Sequence, residues 1–168
     1  MSETSEDWEQ RLAEVWASAE GLDDAELRAQ VKALADERPA GDAIALFELG
    51  GAEDSTGRPE QAEAHYREAL AAGLTGVRRR RAVIQLASTL RNLGRVDESV
   101  ELLHAEQQSG SDELDDAVAA FLALALVDAG REREATGIAL EALAAHLPRY
   151  NRSLANYAQE LREPAQQL

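Results

Sequence analysis

The sequence predicts an all-α solenoid of stacked helical hairpins, and three observations carry that reading. Alanine and leucine supply most of the apolar residues, while aromatics make up only 4%. Both are strong helix formers, and the β-branched and aromatic residues that favour strands are thin. Gly57, Gly94 and Gly130 lie 37 and 36 residues apart. The segments they open, Gly57-Arg58-Pro59-Glu60-Gln61-Ala62, Gly94-Arg95-Val96-Asp97-Glu98-Ser99 and Gly130-Arg131-Glu132-Arg133-Glu134-Ala135, align without gaps. On both sides of each glycine, apolar residues recur at helical spacing. One such hairpin cannot bury its apolar face alone, so neighbours must stack.

Trp8, Leu12, Val15, Trp16 and Ala19 share one helical face, and Gly21 separates them from a second helix with Leu27, Val31 and Leu34 that stops at Arg38-Pro39. Residues 6–38 are thus an N-terminal hairpin, and Gly21 stands 36 residues before Gly57, the spacing of a degenerate first repeat. Full repeats follow at 41–73, 77–109 and 113–147. Their first helices carry Leu46, Leu49, Gly50; Val83, Leu86, Ala87, Leu90; and Ala119, Leu122, Ala123, Leu126. Their second helices answer with Ala62, Tyr66, Ala69, Leu70; Ser99, Leu103; and Ala135, Ala139, Ala142, Leu143. Small residues such as Gly50, Ala87, Ala123 and Ala62 let paired helices approach closely, and the turn glycine tolerates a left-handed helix end. Pro148, favoured at a first helical position, opens a capping helix over 148–163 with Tyr150, Leu154, Tyr157 and Leu161 on one face. The result is about nine helices, no sheet, and one domain spanning 1–168.

This pattern resembles the tetratricopeptide repeat (TPR) family, whose repeats combine a small residue within helix A, a turn glycine, and alanine with aromatic or leucine positions on helix B. The best copy runs from Leu46-Phe47-Glu48-Leu49-Gly50 through Gly57, Ala62, Tyr66 and Ala69. The family's tryptophan early in helix A is replaced by Leu46, Val83 and Ala119, its closing proline is absent after the first two copies, and the spacing exceeds the usual 34. The copies cover about residues 41–147, and the chain is similar to small stand-alone bacterial members, some of them dimeric. The resemblance implies a right-handed superhelix that binds a protein or peptide in its concave groove and does no chemistry.

Charge and composition exclude several functions. Thirty-two Asp and Glu against seventeen Lys and Arg give a net charge of −15, which repels phosphate backbones and anionic lipid, so neither nucleic acid nor membrane is expected as a partner. No cysteine is present, so no disulfide, thiolate metal site or thiol nucleophile is available. The opening MSETSEDWEQ is acidic and has no apolar run, so no secretion signal is expected, and no apolar stretch of about 18 residues suggests a membrane span. A cytoplasmic location follows by default. Sixteen arginines to one lysine, with heavy alanine use, suggest a GC-rich bacterial genome.

No catalytic constellation is read. His65, His104 and His146 match no metal-ligand spacing, no phosphate loop or nucleophile elbow is present, and no cofactor or metal is expected. Asp23-Asp24 and Asp115-Asp116 stand at helix starts, where carboxylates favour the dipole. For binding, Arg81, Gln85, Ser88 and Asn92 follow steps of four, three and four and share a helical face bordered by Arg91. Equivalent positions are Ile44, Glu48, Gly51 and Ser55 before it and Ala117, Phe121, Leu124 and Asp128 after it. The expected groove is polar and basic at its centre, apolar toward the third repeat, and flanked by Phe47 and Phe121. Amides suit a peptide backbone and arginine suits a carboxylate. The lysine and asparagine pattern of the family's carboxylate clamp is not reproduced.

Two features leave alternatives open. Arg78-Arg79-Arg80-Arg81 belongs to a stretch, 65–95, with seven arginines and one acid. Four arginines near a helix N-terminus oppose the dipole. They either pair with acids of adjacent hairpins such as Glu48 or Asp115, or with a second subunit, or hold an anionic ligand; the abundance of acids favours pairing. Phe121-Leu122-Ala123-Leu124-Ala125-Leu126-Val127 is hydrophobic all round, so most of its faces should be buried. The C-terminal helix is expected to cover Phe121 and Leu124, or a second subunit does so, with Trp8, Trp16, Leu154 and Tyr157 as dimer contacts.

Overall fold

A computed structural model describes residues 3–163. Among the described residues it is all helical: α1 (Glu3–Ser18), α2 (Asp24–Ala35), α3 (Ala43–Ser55), α4 (Pro59–Ala71), α5 (Gly76–Asn92), α6 (Val96–Ser109), α7 (Asp115–Asp128), α8 (Glu132–Ala144) and α9 (Asn151–Arg162), with a 3-10 turn at Ala19–Gly21. Helices pack in consecutive pairs, as expected of a repeat solenoid of this type. The chain forms two compact units, Met1–Ala82 and Val83–Leu168, whose boundary falls inside α5.

The turns repeat because their bonding repeats. Gly57, Gly94 and Gly130 adopt φ of 72°, 78° and 71°. The next residue then donates its N–H five residues back: Arg58 to Glu53 at 2.9 Å, Arg95 to Leu90 at 2.9 Å and Arg131 to Leu126 at 2.8 Å. This closes the orphan carbonyls at the helix end. Each of these arginines also stands at the N-cap position of the following helix, its carbonyl accepting the first helical hydrogen bond from Ala62, Ser99 or Ala135. Elsewhere the helix starts are capped by acids: Asp23 forms a capping box with Glu26 on α2, and Asp42 accepts from Ile44 and Ala45 on α3.

In the first unit, α1 packs on α2, α2 on α3, and α3 on α4. Trp8, Leu12 and Leu34 form one buried cluster and Leu27, Val31 and Ala52 another, with Val15 and Trp16 touching both. The α3–α4 pair closes on Gly50: a Cβ there would lie 2.6 Å from two ring carbons of Tyr66, which is itself fully buried. In the second unit, Ile84, Ala87, Val100, Leu103, Leu122 and Ile138 belong to one continuous cluster drawn from α5 to α8. The buried Ser99 takes the place of Ala62 and Ala135, and its hydroxyl donates to the Ala87 carbonyl at 2.7 Å.

The C-terminal helix differs from expectation at its start and on its face. Pro148 precedes it, because Tyr150 adopts a left-handed φ of 66° that no continuous helix allows, so α9 begins at Asn151. Its buried face is Ala158 with the half-buried Leu154, Ala155 and Leu161, and Tyr157 points away, 61% exposed. It docks on α8 at Gly137, where a Cβ would lie 2.7 Å from the Ala158 carbonyl oxygen. It leaves Leu124 46% exposed, so the expected cover of that residue is not provided by α9.

Candidate binding surface

The residues expected to line a groove fall into two groups. In the first unit, the α3 face is covered. Ile44 packs beside the Trp8 cluster, Gly51 lies 3.3 Å from the Trp16 ring (measured from the position of a Cβ), and Glu48 is buried. Glu48 accepts from Trp16 Nε1 at 2.9 Å and from Arg78 Nε at 3.2 Å, and Arg78 reaches on to Glu9 through both Nη atoms, at 3.0 and 2.5 Å. Burial works to lower the Arg78 pKa, but the bonds and charges of Glu9 and Glu48 outweigh it and hold the group above its ordinary value. Phe47 is also a core residue, 1% exposed, its ring 6.2 Å from that of Tyr66 and beneath the Arg81 guanidinium at 5.3 Å. Phe47 and Glu48 are therefore supports rather than ligand contacts, and only Ser55 of that stripe is exposed.

The four consecutive arginines do not converge. Successive helical residues diverge by about 100°, so Arg78 turns to its acids, Arg80 is buried, and Arg81 lies over Phe47 while Arg79 is half-buried. Trp8, expected at a dimer interface, is 4% exposed; its Nε1 donates to the Leu34 carbonyl at 2.8 Å under Arg38, whose guanidinium stands 4.5 Å from the ring. Trp16 is half-buried and committed to Glu48.

In the second unit the stripe is only partly covered. Gln85 and Ser88 are half-buried and Asn92 is exposed on α5. None of their side chains makes a hydrogen bond among the described residues, and Gln85 Oε1 is buried. Arg91 Nε holds Asp128 Oδ2 at 2.6 Å, which joins the end of α5 to the end of α7 and neutralises Arg91. On α7, Phe121 is half-buried against the core, while Ala120, Leu124 and Val127 follow steps of four and three along an exposed apolar line. Leu124 and Val127 are 46% and 48% exposed.

A family model described as Tetratrico peptide repeat matches residues 43–161, more than half of the chain. The chain belongs to the tetratricopeptide repeat family. No curated protein and no solved structure matches it significantly. Tetratricopeptide repeats generally mediate protein–protein interaction, and the family is typically a non-catalytic scaffold. The match begins at the first residue of α3, so α1 and α2 lie outside it.

The remaining titratable groups of this repeat protein are dispersed. His146 Nε2 pairs with Asp116 at 2.8 Å, and His104 lies 3.9 Å from Glu134, its pKa lowered chiefly by burial. Among the described residues no group of His, Asp and Glu could hold a metal, and no helix is long and apolar enough to cross a membrane. Sequence reasoning missed Glu9, which stands 69 residues from Arg78 and carries no local signal, and the exposure of Val127.

Proposed function

We propose that this chain is a non-catalytic scaffold that binds a protein segment or peptide on the α5–α7 face of its second unit. The observations that carry this are the exposed apolar side chains Leu124 and Val127 on α7 and, on α5, three polar side chains, Gln85, Ser88 and Asn92, that make no hydrogen bond among the described residues, with Arg91–Asp128 joining the two helix ends. Leu124 and Val127 supply an anchor for apolar side chains, and the exposed Asn92 amide with the half-buried Ser88 hydroxyl supplies donors and acceptors for a peptide backbone. The floor beneath is fully packed, with Ala87 and Leu122 at 0% exposure, so the face is preformed and little ordering opposes binding. The net charge of −15 favours a segment with apolar anchors and positive charge. The acidic, cysteine-free composition fits a bacterial cytoplasm.

Selection of displayed random peptides on the immobilised chain tests this. Enriched peptides should share apolar anchors and bind Leu124→Asp about tenfold more weakly, the effect of losing one central apolar contact. Equal binding by Leu124→Asp, or no enrichment over a blank surface, refutes the reading. A second reading, self-association, draws on Tyr150, Tyr157 and Leu143, which are 78%, 61% and 50% exposed. It requires a concentration-dependent mass in sedimentation that Tyr157→Asp reduces.

A further inference from the structure

A different candidate site lies wholly within Met1–Ala82. A cleft of ≈ 330 Å³ opens where α2, the C-terminal half of α3 and α4 meet. Leu49, Ala52 and Ala29 give it an apolar floor, and Arg28, Lys32 and Arg58 bring three cations to its lining against a single acid, Glu53. That balance is unusual in a chain of net charge −15. Local pairing accounts for only part of it. Arg58 lies 3.2 Å from Glu53, and Lys32 bonds Asp36 one turn on as an exposed pair, a kind that contributes little and exchanges readily. Arg28 is half-buried and makes no ion pair or hydrogen bond among the described residues. His65, which also lines the cleft, makes none either, and its Nδ1 is buried. A half-buried guanidinium without a counter-charge gives up hydration with no compensating partner.

We propose that this cleft binds a small apolar carboxylate. The aliphatic body rests on Leu49 and Ala52, and the carboxylate is gripped by Arg28 with Lys32 and Arg58 adding to the field. A planar carboxylate matches the guanidinium fork, its single charge meets less repulsion from Glu53 than a phosphate dianion would, and its aliphatic body uses the apolar floor that a free phosphate could not. The volume stands at the small end of ligand pockets, which suits a chain of a few carbons or one apolar side chain. The same group occurs on a free small molecule and at the end of a peptide whose last residue is apolar, and the test separates these sources.

The ¹⁵N-labelled full chain is titrated with sodium hexanoate, hexan-1-ol, sodium acetate, and a short peptide ending in leucine as free acid and as amide. Hexanoate, the peptide acid, or both should give saturating shifts confined to residues 28–32, 49–53 and 58–65. Hexanol, acetate and the peptide amide should bind about tenfold more weakly or not at all, because each lacks the charge or the body. Hexanoate alone would indicate a small-molecule source, and the peptide acid alone a chain terminus. Arg28→Gln should weaken binding about tenfold with folding intact, since Arg28 has no partner to lose. Ala29→Leu, from an exposed position on the lining, should fill the cleft and abolish binding, and Leu124→Asp should leave it unchanged. Shifts that are diffuse or do not saturate, equal affinity for alcohol or amide, or an unaltered affinity in Arg28→Gln would overturn the proposal.

Discussion

Gly50→Ala tests how tightly the α3–α4 pair is closed. The added Cβ would stand 2.6 Å from Tyr66 Cδ1 and Cε1 and 3.3 Å from Cγ, where carbon atoms prefer about 3.5–4.0 Å. An overlap of about 1 Å could be relieved only by moving the ring or separating the helices. The ring has little room: Tyr66 is 0% exposed, and Phe47, against it, is 1% exposed. Overpacking of this kind costs about 1–3 kcal/mol, and this geometry belongs at the upper end. Alanine recovers about 1 kcal/mol through helix propensity, leaving a net loss of about 2 kcal/mol. For a chain of this size that lowers Tm by about 4–8 °C. Urea denaturation followed by circular dichroism gives the free energy directly. Gly51→Ala serves as the control, because its nearest atoms belong to Trp16 at 3.3 and 3.4 Å and that half-buried ring can yield. In a Tyr66→Leu background the penalty of Gly50→Ala should disappear. A Gly50→Ala chain as stable as wild type would refute the packing argument, since propensity alone would then decide.

Other consequences follow from the same contacts. Gly137→Ala would place a Cβ 2.7 Å from the Ala158 carbonyl oxygen, so amide exchange in α9 should accelerate about tenfold while α7 stays protected; unchanged α9 protection would contradict this docking. Arg78→Ala leaves Glu48 buried with Trp16 as its remaining donor and should cost about 2 kcal/mol, less than the ~3–5 of a fully buried pair because Arg78 is partly solvated. Adding Glu48→Gln should recover most of that loss, and strict additivity in chemical denaturation would argue against the coupling. Burial lowers the His104 pKa, so its contribution to stability is complete above the ordinary histidine value of about 6.5 and is lost as pH falls through the lower folded value. A Tm series against pH should show a shallower acid decline in His104→Gln; an identical decline would exclude His104 as its source.

Helix order and turns were readable because each depends on neighbours in sequence. The glycines at 57, 94 and 130, the small residues at 62, 99 and 135, and the apolar stripes all lie within a hairpin. What covers the other face of each helix depends on distant segments. The spacing of Ile44, Glu48, Gly51 and Ser55 puts them on one helical face, but nothing local shows that Trp16 and Arg78 close over Glu48, or that Glu9 completes the pair. The same periodicity assigned Tyr150, Leu154, Tyr157 and Leu161 to one face; Leu154 and Leu161 are half-buried there, but Ala158 rather than Tyr157 is buried, because Gly137, lacking a Cβ, lets the Ala158 backbone approach closely. Phe47 read as a groove aromatic because composition marks an aromatic as an anchor without saying whether its own core takes it. By contrast Asn92 and Leu124 stay exposed and Gln85 and Ser88 only half-buried, so this part of the stripe is less covered than the α3 face.

The most direct test of the scaffold reading is shift mapping on the ¹⁵N-labelled full chain with a peptide obtained by display selection. Saturating shifts centred on Gln85, Ser88, Asn92, Phe121 and Leu124 are expected, with Leu124→Asp suppressing them. Shifts centred instead on α9, or on residues of the first unit, would contradict the assignment of the α5–α7 face as the binding surface.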